Sequence, residues 1–132
     1  MLDIVTATEK SVEEWLFDKN AAEVLFAVEN GQEVGFALFF QNFSTFQGKA
    51  GMYVEDVFVL PEHRRRGTGT AIFRKLAAIA VERGYGRIDW QCLDWNEPSI
   101  RFYRSLGAEP MSDWTTYRVS GDAIYNLADG VK

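Results

Sequence analysis

Residues Met52 to Arg83 read MYVEDVFVL, PEHRRRGTG and TAIFRKLAAIAVER, and this stretch decides the fold. Met52 to Leu60 is apolar except for Glu55 and Asp56, as a strand should be, and Pro61 ends it. From Thr70 to Arg83, Ile72, Leu76, Ile79 and Ala80 recur at the i, i+4, i+7, i+8 spacing of an amphipathic helix, and Gly84 and Gly86 stop it. The loop between them is charged and contains glycines. A loop of this kind feeding a helix start offers unpaired backbone N–H groups and the positive end of the helix dipole, which together suit a phosphate. Arg64, Arg65 and Arg66 add charge; a solvated basic loop turned by glycines fits the composition equally well. A Walker A loop needs a Gly-Lys pair, which is missing. A Rossmann fingerprint needs a small residue where Ile72 stands, although Asp89 lies at the distance of a ribose-binding acid. Both are rejected.

The pattern extends outward on both sides. Lys10 to Phe17 has helical spacing, with Val12, Trp15 and Leu16 on one side. Glu23 to Val28 and Glu33 to Phe40 are apolar runs joined through Glu29-Asn30-Gly31, a β-hairpin signal. Phe43 to Gly51 is expected as a polar loop. Past the central helix, Arg87 to Leu93 predicts a strand. Asn96 predicts an N-cap with Pro98 in the first turn, for a helix running to about Leu106 and stopped by Gly107. Thr115 to Val119 predicts another strand, and Asp122 to Ala128 a terminal helical turn. Hairpins in the first half and strand–helix–strand units in the second imply a mixed sheet with helices packed on it.

Composition bounds the function. The chain has 132 residues, one domain's worth, so 1–132 is expected to form a single domain. Fourteen Lys+Arg against 19 Asp+Glu give a formal net charge of −5, which disfavours nucleic acid and anionic membranes and favours a cationic small molecule. No apolar run reaches the ~20 residues that span a bilayer, and Met1 to Ile4 lacks the pattern of a signal peptide. His63 is the single histidine, so no His-based metal site is expected. Cys92, the single cysteine, fits a reducing cytoplasm and reads as a small buried hydrophobe rather than a nucleophile.

Several blocks carry a family resemblance. Arg64-x-x-Gly67-x-Gly69, after a strand ending Val59-Leu60-Pro61-Glu62 and before an amphipathic helix, resembles the acetyl-CoA loop of the GNAT acetyltransferase superfamily. Tyr53 to Val59, Asp94 to Tyr103 (DWNEPSIRFY) and Leu106-Gly107-Ala108 resemble its diamine branch, which includes spermidine/spermine and thialysine N-acetyltransferases. The similarity runs from about Ile4 to Ala128. It implies a GNAT-like α/β (α+β) fold, a mixed, mostly antiparallel sheet flanked by helices. It also implies an N-terminally shortened version, because the family opens with a strand and two helices ahead of the element at which Met1 to Ala7 enters.

The resemblance implies acetyl transfer from acetyl-CoA to a primary amine, with Glu55 as base and Tyr103 as acid. An exposed strand carboxylate and a helical core aromatic are the plainer readings of those two residues. For adjacent acids in an apolar strand, period-2 alternation predicts that one of Glu55 and Asp56 points inward. By the resemblance, Val57, Phe58 and Val59 offer backbone groups to the pantetheine arm. Arg64, Arg65, Arg66, Gly67, Thr68, Gly69 and Thr70 hold the pyrophosphate, and Asn96, Glu97, Pro98 and Ser99 contact the arm. Where relatives carry a glycine this chain has Arg65; if the position needs a positive φ, cofactor affinity should suffer. The loop Asn42 to Lys49 has Ser44-Thr45 and Phe46, which is closer to the thialysine-type members than to the polyamine-preferring ones, which tend to carry an acid and a tryptophan there. Glu55, Asp56, Asp113 and Trp114 are the expected acceptor-binding residues, no metal is expected, and a homodimer is. Acetylation of a protein amine or amino-sugar, and acetyl-CoA binding without turnover, are the competing expectations.

Overall fold

A computed structural model describes residues 6–130, which divide between Trp95 and Asn96 into two compact units. The expectations placed on residues 1–5 lie outside the described residues.

The first unit opens with a short helix, α1 (Glu9–Glu13), continued by one wider turn over Glu14–Asp18. Thr8 caps it: its hydroxyl accepts from the Ser11 amide while Ser11 Oγ accepts from the Thr8 amide, both at 3.0 Å. A four-stranded sheet follows, β1 (Glu23–Glu29), β2 (Gln32–Ser44), β3 (Lys49–Val59) and β4 (Ile88–Trp90), in the spatial order β1-β2-β3-β4. The first two pairings are antiparallel and β3–β4 is parallel. Asn30 (φ 50°) and Gly31 (φ 79°) both sit in the left-handed region, as a two-residue turn between right-twisting strands demands.

Helix α2 (Thr68–Arg83) crosses from β3 to β4. Its start lies two residues before the expected Thr70. Ile72, Phe73, Leu76 and Ala80 are buried against Val34, Ala37, Phe39, Met52 and Val54 of the sheet, and these residues are the core. Ile79, expected in the stripe, is half-buried. The Phe73 and Trp90 rings meet at 4.9 Å, joining helix to edge strand. Where α2 ends, Gly84 (φ 73°) turns the chain and the Arg83 guanidinium holds the Glu23 carboxylate at 2.6 and 2.8 Å.

Those hydrogen bonds, with the guanidinium's charge, lower the Glu23 pKa against a smaller opposing desolvation. A carboxyl depressed by folding contributes stability that is present above its unfolded value and lost as pH falls through the folded one. Glu23→Gln should therefore be less stable than the parent at neutral pH. The gap should close below about pH 4, and thermal melts across that range check it.

Two segments differ from expectation. The region Phe43 to Gly51 is mostly ladder, because Phe43 pairs with Ala50 and Ser44 with Lys49. Gly48 (φ 65°) makes the turn, with its amide 2.8 Å from the Ser44 carbonyl. The strand expected over Arg87 to Leu93 spans only Ile88–Trp90.

The second unit holds α3 (Glu97–Ser105) and α4 (Asp122–Ala128). Asn96 caps α3 as expected, Oδ1 accepting from the Ser99 amide at 3.3 Å, and Gly107 (φ 92°) lies past its end. Thr115 to Val119 forms no strand: a strand exists only through a neighbour's ladder, and this unit contains no other strand among the described residues.

Candidate functional site

In the first unit the site begins at an irregularity in β3. Phe39 pairs with Val54 and Leu38 with Asp56, so Glu55 is an extra residue, a β-bulge. Bulges bend a strand and re-aim its side chains. This corrects the alternation argument: neither acid points inward, and Glu55 and Asp56 are both exposed. The same bend accounts for the short β4, whose pairing ends at Val54 with Trp90, immediately before the bulge. From Asp56 to Val59 the ladder is, among the described residues, with Leu38 to Gly35 of β2 alone. Beyond the bulge β4 no longer covers the outer edge of Val57, Phe58 and Val59.

Gly35 allows the close approach of β2 and β3 there. A Cβ on it would stand 2.6 Å from the Phe58 carbonyl oxygen and 3.4 Å from Ile72 Cδ1. No sequence signal singled out Gly35, since a strand glycine has several possible causes.

Past Val59 a single turn, Pro61–His63, leads to the arginines. Arg64 folds back on its own strand: Nε donates to the Val59 carbonyl at 2.8 Å, and the guanidinium lies 5.6 Å from the Phe58 ring centre. Arg66 Nη1 is 4.0 Å from Glu29 Oε2, which also meets His63 Nδ1 at 2.7 Å. Glu29 thus ties the loop to the β1–β2 hairpin, a role hidden in the sequence because 34 residues separate it from His63. Arg65 is exposed and adopts φ 64°, and Gly67 adopts φ 85° as the N-cap of α2. The position at which the resemblance implies glycine does have a left-handed backbone, and Arg65 adopts it at a cost of about 1–2 kcal/mol.

The donor set suits a phosphate. No side chain caps α2, and its first turn carries no acid. The first closing bond runs from the Ala71 amide to the Gly67 carbonyl at 2.9 Å, so the amides of Thr68, Gly69 and Thr70 have no intrahelical acceptor. Thr68 is buried, and Gly69 and Thr70 are half-buried.

The remaining candidates belong to the second unit. Asn96, Glu97, Pro98 and Ser99 form the start of α3, where the Asn96 side chain serves as cap. Tyr103 is half-buried, its ring 5.7 Å from that of Phe102. Asp113 and Trp114 are exposed, Trp114 at 67%. Among the described residues no group of three or more His, Cys, Asp or Glu side chains could hold a metal ion. No helix there is long and apolar enough to cross a membrane. Cys92 is half-exposed, its Sγ 3.4 Å from the Leu93 carbonyl, so it is less buried than expected, as the end of β4 at Trp90 explains.

Residues 4–108 match the model of the acetyltransferase (GNAT) family, and the chain belongs to that family. Over 90 residues it is 41% identical to an L-ornithine N5-acetyltransferase of Arabidopsis thaliana, covering 68% of this chain and 40% of that protein. It is 35% identical over 98 residues to the thialysine Nε-acetyltransferase of Mus musculus, covering 72% and 57%. The match thus spans about half the length of these curated relatives. Among solved structures, an integron cassette protein from the mobile metagenome of V. cholerae aligns with TM-score 0.80 and 29% identity, covering 92% of this chain and 78% of that one.

Proposed function

We propose that this chain is a single acetyltransferase domain that uses acetyl-CoA to acetylate a primary amine of a small polyamine- or thialysine-like molecule. The observation that carries the reading is the loop Arg64–Thr70, whose uncapped helix start and arginines fit a diphosphate. The family match supports one domain, because residues 4–108 run across the boundary between Trp95 and Asn96. The acceptor class draws on the relatives, named for ornithine and thialysine, both of which present a primary amine on a flexible chain.

In this reading bound acetyl-CoA supplies an activated acetyl thioester. Arg65 to Thr70 hold the phosphates through backbone N–H groups and charge, while Val57 to Val59 present the exposed β3 edge to the pantetheine arm. An ammonium cannot attack a carbonyl, so Glu55, aimed outward by the bulge, takes the proton directly or through water. Tyr103 Oη returns a proton to the leaving sulfur. Asp56, exposed beside Glu55, attracts the cationic acceptor.

The lone cysteine suits a reducing cytoplasm. A homodimer is supported by β1, a sheet edge bearing exposed Val24, Phe26 and Val28, since such edges invite pairing. Incubation with acetyl-CoA and a panel of amines, following free thiol, tests the activity; thiol release with aliphatic primary amines is the expected result. Acetyl-CoA binding without thiol release from any amine would make the chain a binding module instead.

A further inference from the structure

Glu29 ends β1 on the less exposed side of the strand, with Leu25 and Ala27, where alternation calls for an apolar residue. A carboxylate there costs stability unless it is paired. Its partners lie in the segment ahead of α2: His63 Nδ1 at 2.7 Å and Arg66 Nη1 at 4.0 Å. An ionised carboxylate only accepts hydrogen bonds, so His63 Nδ1 is the donor. The His63 side chain is 16% exposed, and it closes the single turn Pro61–His63. The turn's own bonds are local, from the His63 amide to the Leu60 carbonyl at 2.9 Å and from the Arg64 amide to the Pro61 carbonyl at 3.3 Å. Arg64 reaches back only to the strand it follows. Among the described residues, Glu29 is therefore the one side chain that fastens Pro61 to Arg66 to an element other than β3.

Building on the cofactor reading above, we propose that Glu29 and His63 are positioning residues: the pair pins the turn after β3 to the β1–β2 hairpin and so holds the loop in its binding arrangement before the cofactor arrives. Neither residue touches the cofactor. The hairpin is a firm anchor, because the tight Asn30-Gly31 turn begins one residue after Glu29. Without the pair the cofactor itself must order the loop, and the cost appears as lost affinity. The negative charge of Glu29 would by itself repel a phosphate. Charge and position therefore act in opposite directions, and the two can be separated.

The test is calorimetric titration of acetyl-CoA into the parent chain, Glu29→Met, Glu29→Gln, His63→Phe and the Glu29→Met/His63→Phe double variant. Each chain is also digested briefly with trypsin in the absence of cofactor, and cleavage after Arg64, Arg65 and Arg66 is followed by mass. Glu29→Met and His63→Phe should each bind acetyl-CoA about tenfold more weakly and be cut in the loop severalfold faster. Glu29→Gln loses the charge but keeps an acceptor oxygen for His63, so it should recover most of both properties. The double variant should bind no more weakly than the weaker single one, because the two residues act as a unit. Glu23→Gln, at the opposite end of β1, controls for lost stability: it should keep the parent's affinity and loop cleavage. If Glu29→Met and His63→Phe melt lower but bind and are cut like the parent, the pair is merely structural and the proposal is overturned. Tighter binding by both Glu29 variants, as charge alone would give, overturns it too; either result leaves the acetyltransferase reading standing. Absence of acetyl-CoA binding by the parent chain overturns both.

Discussion

Tyr103→Phe should lower acetyl transfer by at least about a hundredfold while leaving acetyl-CoA affinity intact. The substitution removes one oxygen and keeps the ring, so the half-buried packing beside Phe102 persists. A residue that only fills space would tolerate this change. A residue that protonates the leaving sulfur would not, because a thiolate expelled without a proton source returns readily to the acyl carbon. The two measurements are a thiol-release rate and a calorimetric affinity. Lost turnover with retained binding supports the acid role, and unchanged turnover removes it. Loss of both would mean that the tyrosine supports structure.

The second large effect is at Gly35. An alanine methyl there would lie 2.6 Å from the Phe58 carbonyl oxygen, inside any real contact distance, and the obstacle is backbone rather than a flexible side chain. Strand β3 must therefore move, at a cost of about 1–3 kcal/mol, or a fall in melting temperature of roughly 3–10 °C. The displaced residues, Phe58 and Val59, pair directly with Phe36 and Gly35 and form the proposed cofactor edge. Gly35→Ala is thus expected to weaken acetyl-CoA binding as well as stability. A variant as stable as the parent would show that β2 and β3 tolerate wider separation than their register implies.

Much of the fold could be read from residues whose backbone needs are local. Asn30-Gly31 demands two positive φ values, and Asn96 and Gly107 bracket a helix by a cap and a stop. The stripe Ile72, Leu76, Ala80 had one geometry available to it. What escaped was set by pairing between distant segments. The bulge at Glu55 depends on register with β2, and its one trace in the sequence is two neighbouring acids where alternation permits only one to face solvent. Thr115 to Val119 has strand composition, but composition does not supply a ladder.

The proposed site was legible to the same extent. The loop Arg64 to Thr70 announced itself by charge and glycine. The unequal roles of its arginines did not, because Glu29 and the Val59 carbonyl divide them only once the hairpin has folded beside the loop.

Acetyl transfer to a small primary amine is tested by following thiol release from acetyl-CoA. Release should depend on an aliphatic primary amine such as ornithine or thialysine, and should fall sharply in Tyr103→Phe. A chain that binds acetyl-CoA yet releases no thiol with any amine in the panel would contradict it.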